Sequence, residues 1–319
     1  MTLKILQGLG LAAAISALAG CATTPPTRPQ ALVRHNGARP PAMAPQQAAR
    51  ADRDLITDAA AFESFMRRAR AIDAAFSSPG DVSQALQTGA SHEPVELQAG
   101  MVAYAALAAL QEPRFVAAVQ ADRTGLARRL ADDPRAALDL PGGEAAGARA
   151  AGALYAQGVA LSGQGERVKR AAYSVQHQSW STAKVSDPGG RLARVKRLSA
   201  ASYLPARDDA GHLQVSLSEG GRRPGPASPL VARGVALAAL SLLGEARQAR
   251  SLMGDAHTGS CLRLAKLNLY QCLASAGPHY EDIYCLGQHA MIDTGQCVVE
   301  AAKAPTARQV ALTKASYRR

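Results

Sequence analysis

The stretch LVARGVALAALSLL, residues 230–243, decides the fold class. Its only charged residue is Arg233, and the stretch is shorter than the roughly 20 apolar residues that a membrane-spanning helix needs. It is also longer than most strands, and it is rich in alanine and leucine, which favour helix. The stretch therefore predicts a helix that is buried in the core of a folded domain.

The rest of the chain has the same helical character. Of 319 residues, 69 are alanine, whereas aromatic residues make up 4%. Strands favour aromatic and β-branched residues, so we do not expect a β-sandwich, a barrel or a large parallel sheet. Apolar residues recur at helical spacing from residue 52 onward. The first such stripe is Leu55, Ala59, Phe62, Phe65, Met66, Ala69 and Ile72. We predict an all-α fold, an irregular helical bundle over residues 52–256.

Two segments of this bundle carry more specific predictions. A long helix is expected from about residue 144 to 178, with a possible break near Gly163 and Gly165. Residues 205–229 are rich in glycine, proline, arginine and aspartate. Within them, residues 212–218 alternate apolar with polar side chains, which is typical of a strand or an ordered extended segment.

Four cysteines near the C-terminus predict a disulfide-bonded helical hairpin over residues 257–303. Cys261 and Cys272 lie three helical turns apart, about 16 Å along an axis, which is too far for a disulfide. In an antiparallel hairpin, facing residues have numbers with a nearly constant sum. The pairs Cys272–Cys285 and Cys261–Cys297 meet that condition within one residue. The helix after the turn is expected to end near residues 293–295, so that Cys297 folds back.

Two alternatives for these cysteines remain open. Cys261–Cys285 with Cys272–Cys297 would require the helices to slide or to cross. A zinc site is the other possibility, because His257 and Cys261, and likewise Cys285 and His289, are four residues apart. The cysteine spacings are wider than in familiar zinc modules, and an oxidising compartment favours disulfides. We therefore expect no metal and no cofactor.

The N-terminus predicts the compartment. One basic residue, an apolar run and small residues before Cys21 are typical of a secretory signal over residues 1–20. The sequence Leu-Ala-Gly-Cys ending at Cys21 resembles the lipobox of bacterial lipoproteins. That resemblance implies acylation of Cys21 and, with Ala22 following, sorting to the outer membrane. The proline-rich residues 21–51 are expected to form a largely disordered tether.

The charge distribution indicates possible partners. The chain carries a formal net charge of +11, and residues 167–197 contain eight basic residues against one acid, Asp187. The tail, residues 304–319, is also basic. Because a lipoprotein faces the envelope, anionic lipid or an acidic envelope protein is a more plausible partner than nucleic acid. A solvated basic surface without a partner is the alternative. The candidate residues are Arg167, Lys169, Arg170, Arg191, Arg194, Lys196 and Arg197.

Short motifs suggest catalysis only weakly. Ser181 and Lys184 have the Ser-x-x-Lys form of penicillin-binding proteins and β-lactamases, but the downstream Lys-Thr-Gly motif of that family is missing. Glu63-Ser64 resembles the Glu-Ser pair of lytic transglycosylases, without the family's further motifs. Helical spacing would also place the rings of Tyr173, His177 and Trp180 on one face, as a sugar- or lipid-contacting stripe or as core packing.

These observations favour a non-enzymatic envelope lipoprotein. We expect an accessory, assembly or binding factor that is held at the outer membrane by its lipid and faces the periplasm. The alternative is an enzyme acting on peptidoglycan or another envelope polymer, with catalytic residues too scattered to recognise.

Overall fold

The structure is a computed structural model that describes residues 53–304 except residues 123, 203, 205 and 207. The signal segment, Cys21, the tether and the tail from residue 305 lie outside the described residues. Within the described residues the chain forms helices and no strand, which confirms the all-α class. In chain order the elements are α1 (Arg53–Arg70), α2 (Pro79–Ala90), α3 (Pro94–Ala109), α4 (Pro113–Ala121), α5 (Leu126–Asp132), a 3₁₀ turn (Pro134–Ala137), α6 (Gly143–Val175), α7 (Ser179–Thr182), α8 (Pro188–Ser199), α9 (Asp209–Glu219), α10 (Pro229–Leu243), α11 (Ala246–Ser251), α12 (Ala256–Ser275), α13 (His279–Cys285), a π-helical segment (Leu286–Asp293) and α14 (Thr294–Ala301).

The apolar stretch 230–243 forms the buried helix α10, as the sequence predicts. Ser228 caps its start by accepting a hydrogen bond from the Val231 amide, and Gly244 ends it in a left-handed conformation. α10 packs against α3, which is almost completely buried. A Cβ atom on Gly234 would lie 2.6 Å from the Ala105 Cβ, so small residues let the two backbones approach closely. No described helix is long and apolar enough to cross a membrane.

α6 is continuous over 33 residues, so the predicted break near Gly163 is wrong. Its glycines serve close packing instead. A Cβ atom on Gly158 would lie 2.7 Å from the Gly295 carbonyl oxygen, and one on Gly165 would lie 2.8 Å from the Met291 Cβ. Gly163 has no such neighbour within 4 Å. The glycine spacing therefore indicates a helix–helix contact rather than a break.

The predicted strand at residues 212–218 is also wrong, because these residues belong to helix α9. Leu213 and Leu217 are buried one helical turn apart, whereas Val215 between them is 56% exposed. Three apolar residues at steps of two satisfy a strand pattern, but the outer two also lie four apart, as on a helix face. α9 packs on α1, and that contact favours the helical alternative.

The C-terminal cysteines form the predicted nested hairpin. Cys272 pairs with Cys285 near the turn, and Cys261 pairs with Cys297 further along the two arms. The Cα atoms are 5.7 Å apart in both bridges, within the range that a disulfide requires. The hairpin from α12 to α14 packs along α6 and belongs to the same buried cluster as α10.

The second arm of the hairpin does not end near residue 293, contrary to the sequence prediction. α13, the π-helical segment and α14 run on continuously from His279 to Ala301. The two cysteines of the first arm are eleven residues apart, and those of the second arm are twelve apart. A π-helical segment accommodates an additional residue within a helix. It therefore absorbs the one-residue mismatch and lets Cys297 face Cys261 without folding back.

Candidate functional site

α8 is a basic helix that is docked on the hairpin at both of its ends. Its buried stripe is Arg191, Val195 and Ser199, at steps of four residues. The Ser199 hydroxyl contacts Lys266 of α12, with 3.2 Å between Oγ and Nζ. Because this stripe faces inward, the other side of the helix, which carries basic residues, faces solvent.

The predicted basic residues differ in how far the structure exposes them. Arg194, Lys196 and Arg197 are exposed on α8, and Arg167 and Arg170 are exposed on α6. Lys169 is half-buried, with its ammonium 3.0 Å from Gln288 Oε1 and 3.7 Å from Glu166 Oε1. Arg191 is 8% exposed, so its assignment to an anion-binding surface is wrong.

Arg191 is a structural residue that ties α8 to the hairpin. Its guanidinium forms a buried ion pair with Asp282 and donates hydrogen bonds to the Leu273 and Ala276 carbonyl oxygens at the end of α12. Burial raises the pKa of the Asp282 carboxyl to about 6, and the hydrogen bond from Arg191 opposes that rise. The sequence did contain a signal: Arg191 lies four residues before Val195, on the same helical face.

A second buried cation, Lys266, lies between α12, α2 and α8. Its ammonium donates to the Ala90 carbonyl oxygen at 2.9 Å and lies 3.3 Å from His92 Nδ1. Burial lowers the pKa of Lys266 to about 7, although the negative charge of Glu93 opposes this. Burial also lowers the pKa of His92 well below its ordinary value, and the charge of Lys266 adds to that effect. Neither residue was predicted from the sequence.

A pocket of about 370 Å³ opens beside the inner disulfide. It lies between the last turns of α6 and the two arms of the hairpin. Tyr173 comes from α6, whereas Tyr280 and Tyr284 come from α13. The rings of Tyr173 and Tyr284 meet edge to face, with centroids 6.3 Å apart. Gln176 and Glu281 contribute polar groups, and the disulfide-bonded Cys272 and Cys285 also belong to the lining. We call this the tyrosine pocket.

The three rings that the sequence places on one helix do not share a helix in the structure. α6 ends at Val175, and Trp180 lies on the separate short helix α7. Tyr173 therefore pairs with tyrosines that lie more than a hundred residues further along the chain. Periodicity within one segment could not predict this arrangement, because it depends on how the hairpin packs against α6.

The residues of the two weak catalytic motifs take structural positions. Ser181 is buried, and its hydroxyl donates to the Val175 carbonyl oxygen, while Lys184 is exposed. Glu63 is also buried, which raises the pKa of its carboxyl, and the nearby Arg67 guanidinium opposes that rise. Arg67 lies 3.3 Å from Glu63 Oε1 and 2.6 Å from Asp209 Oδ1, so it joins α1 to α9.

The alternative zinc site is wrong, because the two cysteines that it requires, Cys261 and Cys285, are both bonded in disulfides.

In comparisons with protein-family models, with curated proteins and with solved structures, this chain matches nothing. A functional proposal must therefore come from the residues and geometry described above.

Proposed function

We propose that the protein is a lipid-anchored, non-enzymatic binding factor of the bacterial outer membrane. In this proposal, acylated Cys21 holds the chain at the membrane and the helical domain faces the periplasm. The domain uses its basic helix α8 to bind an anionic envelope component, either lipid headgroups or an acidic protein.

The observation that carries the proposal is the exposed side of α8. Arg194, Lys196 and Arg197 are all exposed on this helix, and none of them forms an ion pair within the part of the chain that the structure describes. Lys196 lies over the Tyr270 ring, with its ammonium 5.6 Å from the centroid. Three unpaired cations on one rigid helix produce a positive potential that attracts anions.

The anchor is tested by replacing Cys21 with Ala and fractionating the cells. We expect the wild-type chain in the outer-membrane fraction and the Cys21→Ala chain in soluble or weakly bound fractions, because acyl chains supply stable attachment. Tight membrane association of the Cys21→Ala chain would contradict the anchor.

The basic helix is tested by vesicle sedimentation with a matched pair of triple variants. One variant carries Arg194→Glu, Lys196→Glu and Arg197→Glu. The control carries Arg114→Glu, Arg128→Glu and Arg135→Glu, which reverse three exposed charges on α4, α5 and the 3₁₀ turn. Both variants use the unacylated Cys21→Ala chain, so that the lipid does not dominate binding.

We expect binding to anionic vesicles to be lost in the α8 variant and largely kept in the control. Binding of the parent chain should weaken above about 0.15 M salt, where the screening length is about 8 Å. Equal retention on neutral and anionic vesicles, or equal loss in both variants, would contradict the role of α8.

The enzymatic alternative is tested with the same purified chain. Release of soluble fragments from peptidoglycan would support an envelope hydrolase and contradict the non-enzymatic proposal. A Glu63→Gln variant would then show whether the buried acid takes part.

A further inference from the structure

The tyrosine pocket is separate from the exposed side of α8, and the membrane proposal does not use it. Three rings line it, and Tyr173 is 55% exposed although it belongs to a helix that is mostly packed. An exposed aromatic ring in a concave site offers a large apolar surface that a ligand can cover.

The polar groups of the pocket are available to a ligand. The Tyr173, Tyr280 and Tyr284 hydroxyls and the Gln176 amide have no hydrogen-bond partner within the described residues. Glu281 Oε2 accepts a hydrogen bond from the Gly277 amide, which holds the carboxylate at the rim. The pocket thus combines aromatic faces with hydroxyl, amide and carboxylate groups at their edges.

We propose that the tyrosine pocket binds a glycan chain. A sugar ring has an apolar face of C–H groups, which packs on an aromatic ring, and a periphery of hydroxyls, which exchange hydrogen bonds with polar side chains. A cavity of about 370 Å³ lies at the small end of the range for ligand pockets, where one or two sugar rings fit. Because the pocket is open to solvent on one side, the rest of a polymer can continue outside it.

Other ligand classes fit the lining less well. An acyl chain would bury the tyrosine hydroxyls and the Gln176 amide without partners, which is costly. A small anion would meet the Glu281 carboxylate, and no lysine or arginine lines the described pocket. A neutral molecule with both an apolar face and many hydroxyls satisfies both halves of the lining.

The hairpin holds the pocket in a fixed shape. The Cys272–Cys285 bridge forms part of the lining and joins α12 to α13, the helix that carries two of the tyrosines. The third ring, Tyr173, contacts Tyr284 edge to face. A preformed site loses less conformational entropy on binding, which strengthens the affinity for a weakly interacting ligand such as a sugar.

The test measures binding of the soluble Cys21→Ala chain to a tetramer of β-linked N-acetylglucosamine and to isolated peptidoglycan sacculi. The informative variants are Tyr173→Ala, which removes the most exposed ring, and Tyr173→Phe, which keeps the ring and loses only the hydroxyl. Tyr155→Ala is the matched control, because Tyr155 is a half-buried tyrosine of the same helix α6 that lies outside the pocket. Calorimetry gives the affinity for the tetramer, and sedimentation gives the bound fraction for sacculi.

We expect the parent chain to bind, and Tyr173→Ala to weaken its affinity by about tenfold. Tyr173→Phe should weaken it less, and Tyr155→Ala should leave it nearly unchanged. Failure of the parent chain to bind either glycan would overturn the proposal, as would equal affinities for Tyr173→Ala and Tyr155→Ala. Tyr173-dependent binding to neutral lipid vesicles in place of glycan would overturn it as well. Loss of vesicle binding by the α8 variant leaves this test unaffected.

Discussion

The hairpin from α12 to α14 and the helical body from α1 to α10 are held by different means. The hairpin contains all four cysteines of the described chain, and its two bridges fix both arms covalently. The body has no such link and depends on glycine and alanine contacts, such as Gly234 against Ala105, and on buried polar groups. The two arms of the hairpin are therefore joined covalently, whereas the helices of the described body are held together by noncovalent packing.

The largest expected effect comes from removing the bridges, one pair at a time. Cys261 and Cys297 are 36 residues apart, and Cys272 and Cys285 are 13 apart. Since a longer closed loop restricts the unfolded chain more, the double alanine variant of the outer pair should lose about 4 kcal/mol in the free energy of unfolding, and that of the inner pair about 3 kcal/mol. Urea denaturation of both variants measures this order, and a larger loss for the inner pair would contradict it.

A smaller effect tests the noncovalent contact between the two regions. Gly158→Ala should lower the free energy of unfolding by about 2 kcal/mol, because the new Cβ would lie 2.7 Å from the Gly295 carbonyl oxygen and α6 would have to shift. Gly163→Ala on the same helix has open space and should instead raise that free energy by up to about 1 kcal/mol. Changes of the same sign in both variants would show that the close approach of α6 to α14 is absent.

The parts of the fold that the sequence predicted are those that depend on spacing along the chain. The buried helix α10 follows from composition and length, and the nested disulfides follow from the arithmetic of an antiparallel hairpin. The unpredicted parts depend on partners that are distant in sequence. In the sequence Arg191 resembles a surface charge, whereas in the structure it is buried beside Asp282 and the end of α12. The tyrosine pocket forms because α13 packs against the end of α6.

A third prediction concerns the pH dependence at the junction of the two regions. The pKa of Lys266 is about 7 in the folded chain and 10.5 for an unperturbed lysine, so between these values the unfolded chain binds more protons. Stability should therefore rise with pH across this window, by at most about 1.4 kcal/mol per unit. Lys266→Met should flatten this rise between pH 7 and 9, as measured by urea denaturation.

Lys196→Met serves as the control for that measurement. Lys196 is exposed on α8, one helix away from Lys266, so its removal should leave the slope unchanged. Identical slopes in the wild type and in Lys266→Met would mean that Lys266 does not remain buried in the folded chain.

The most direct test of the proposed function asks which region of the molecule contacts the membrane. Hydrogen–deuterium exchange of the unacylated chain, with and without anionic vesicles, compares the segment 184–199 beside the hairpin with the segment 113–137 of the body. We predict that vesicles slow exchange in 184–199 and leave 113–137 unchanged. Slower exchange in 113–137 alone, or no change in either segment, would contradict the proposal that α8 binds anionic lipid.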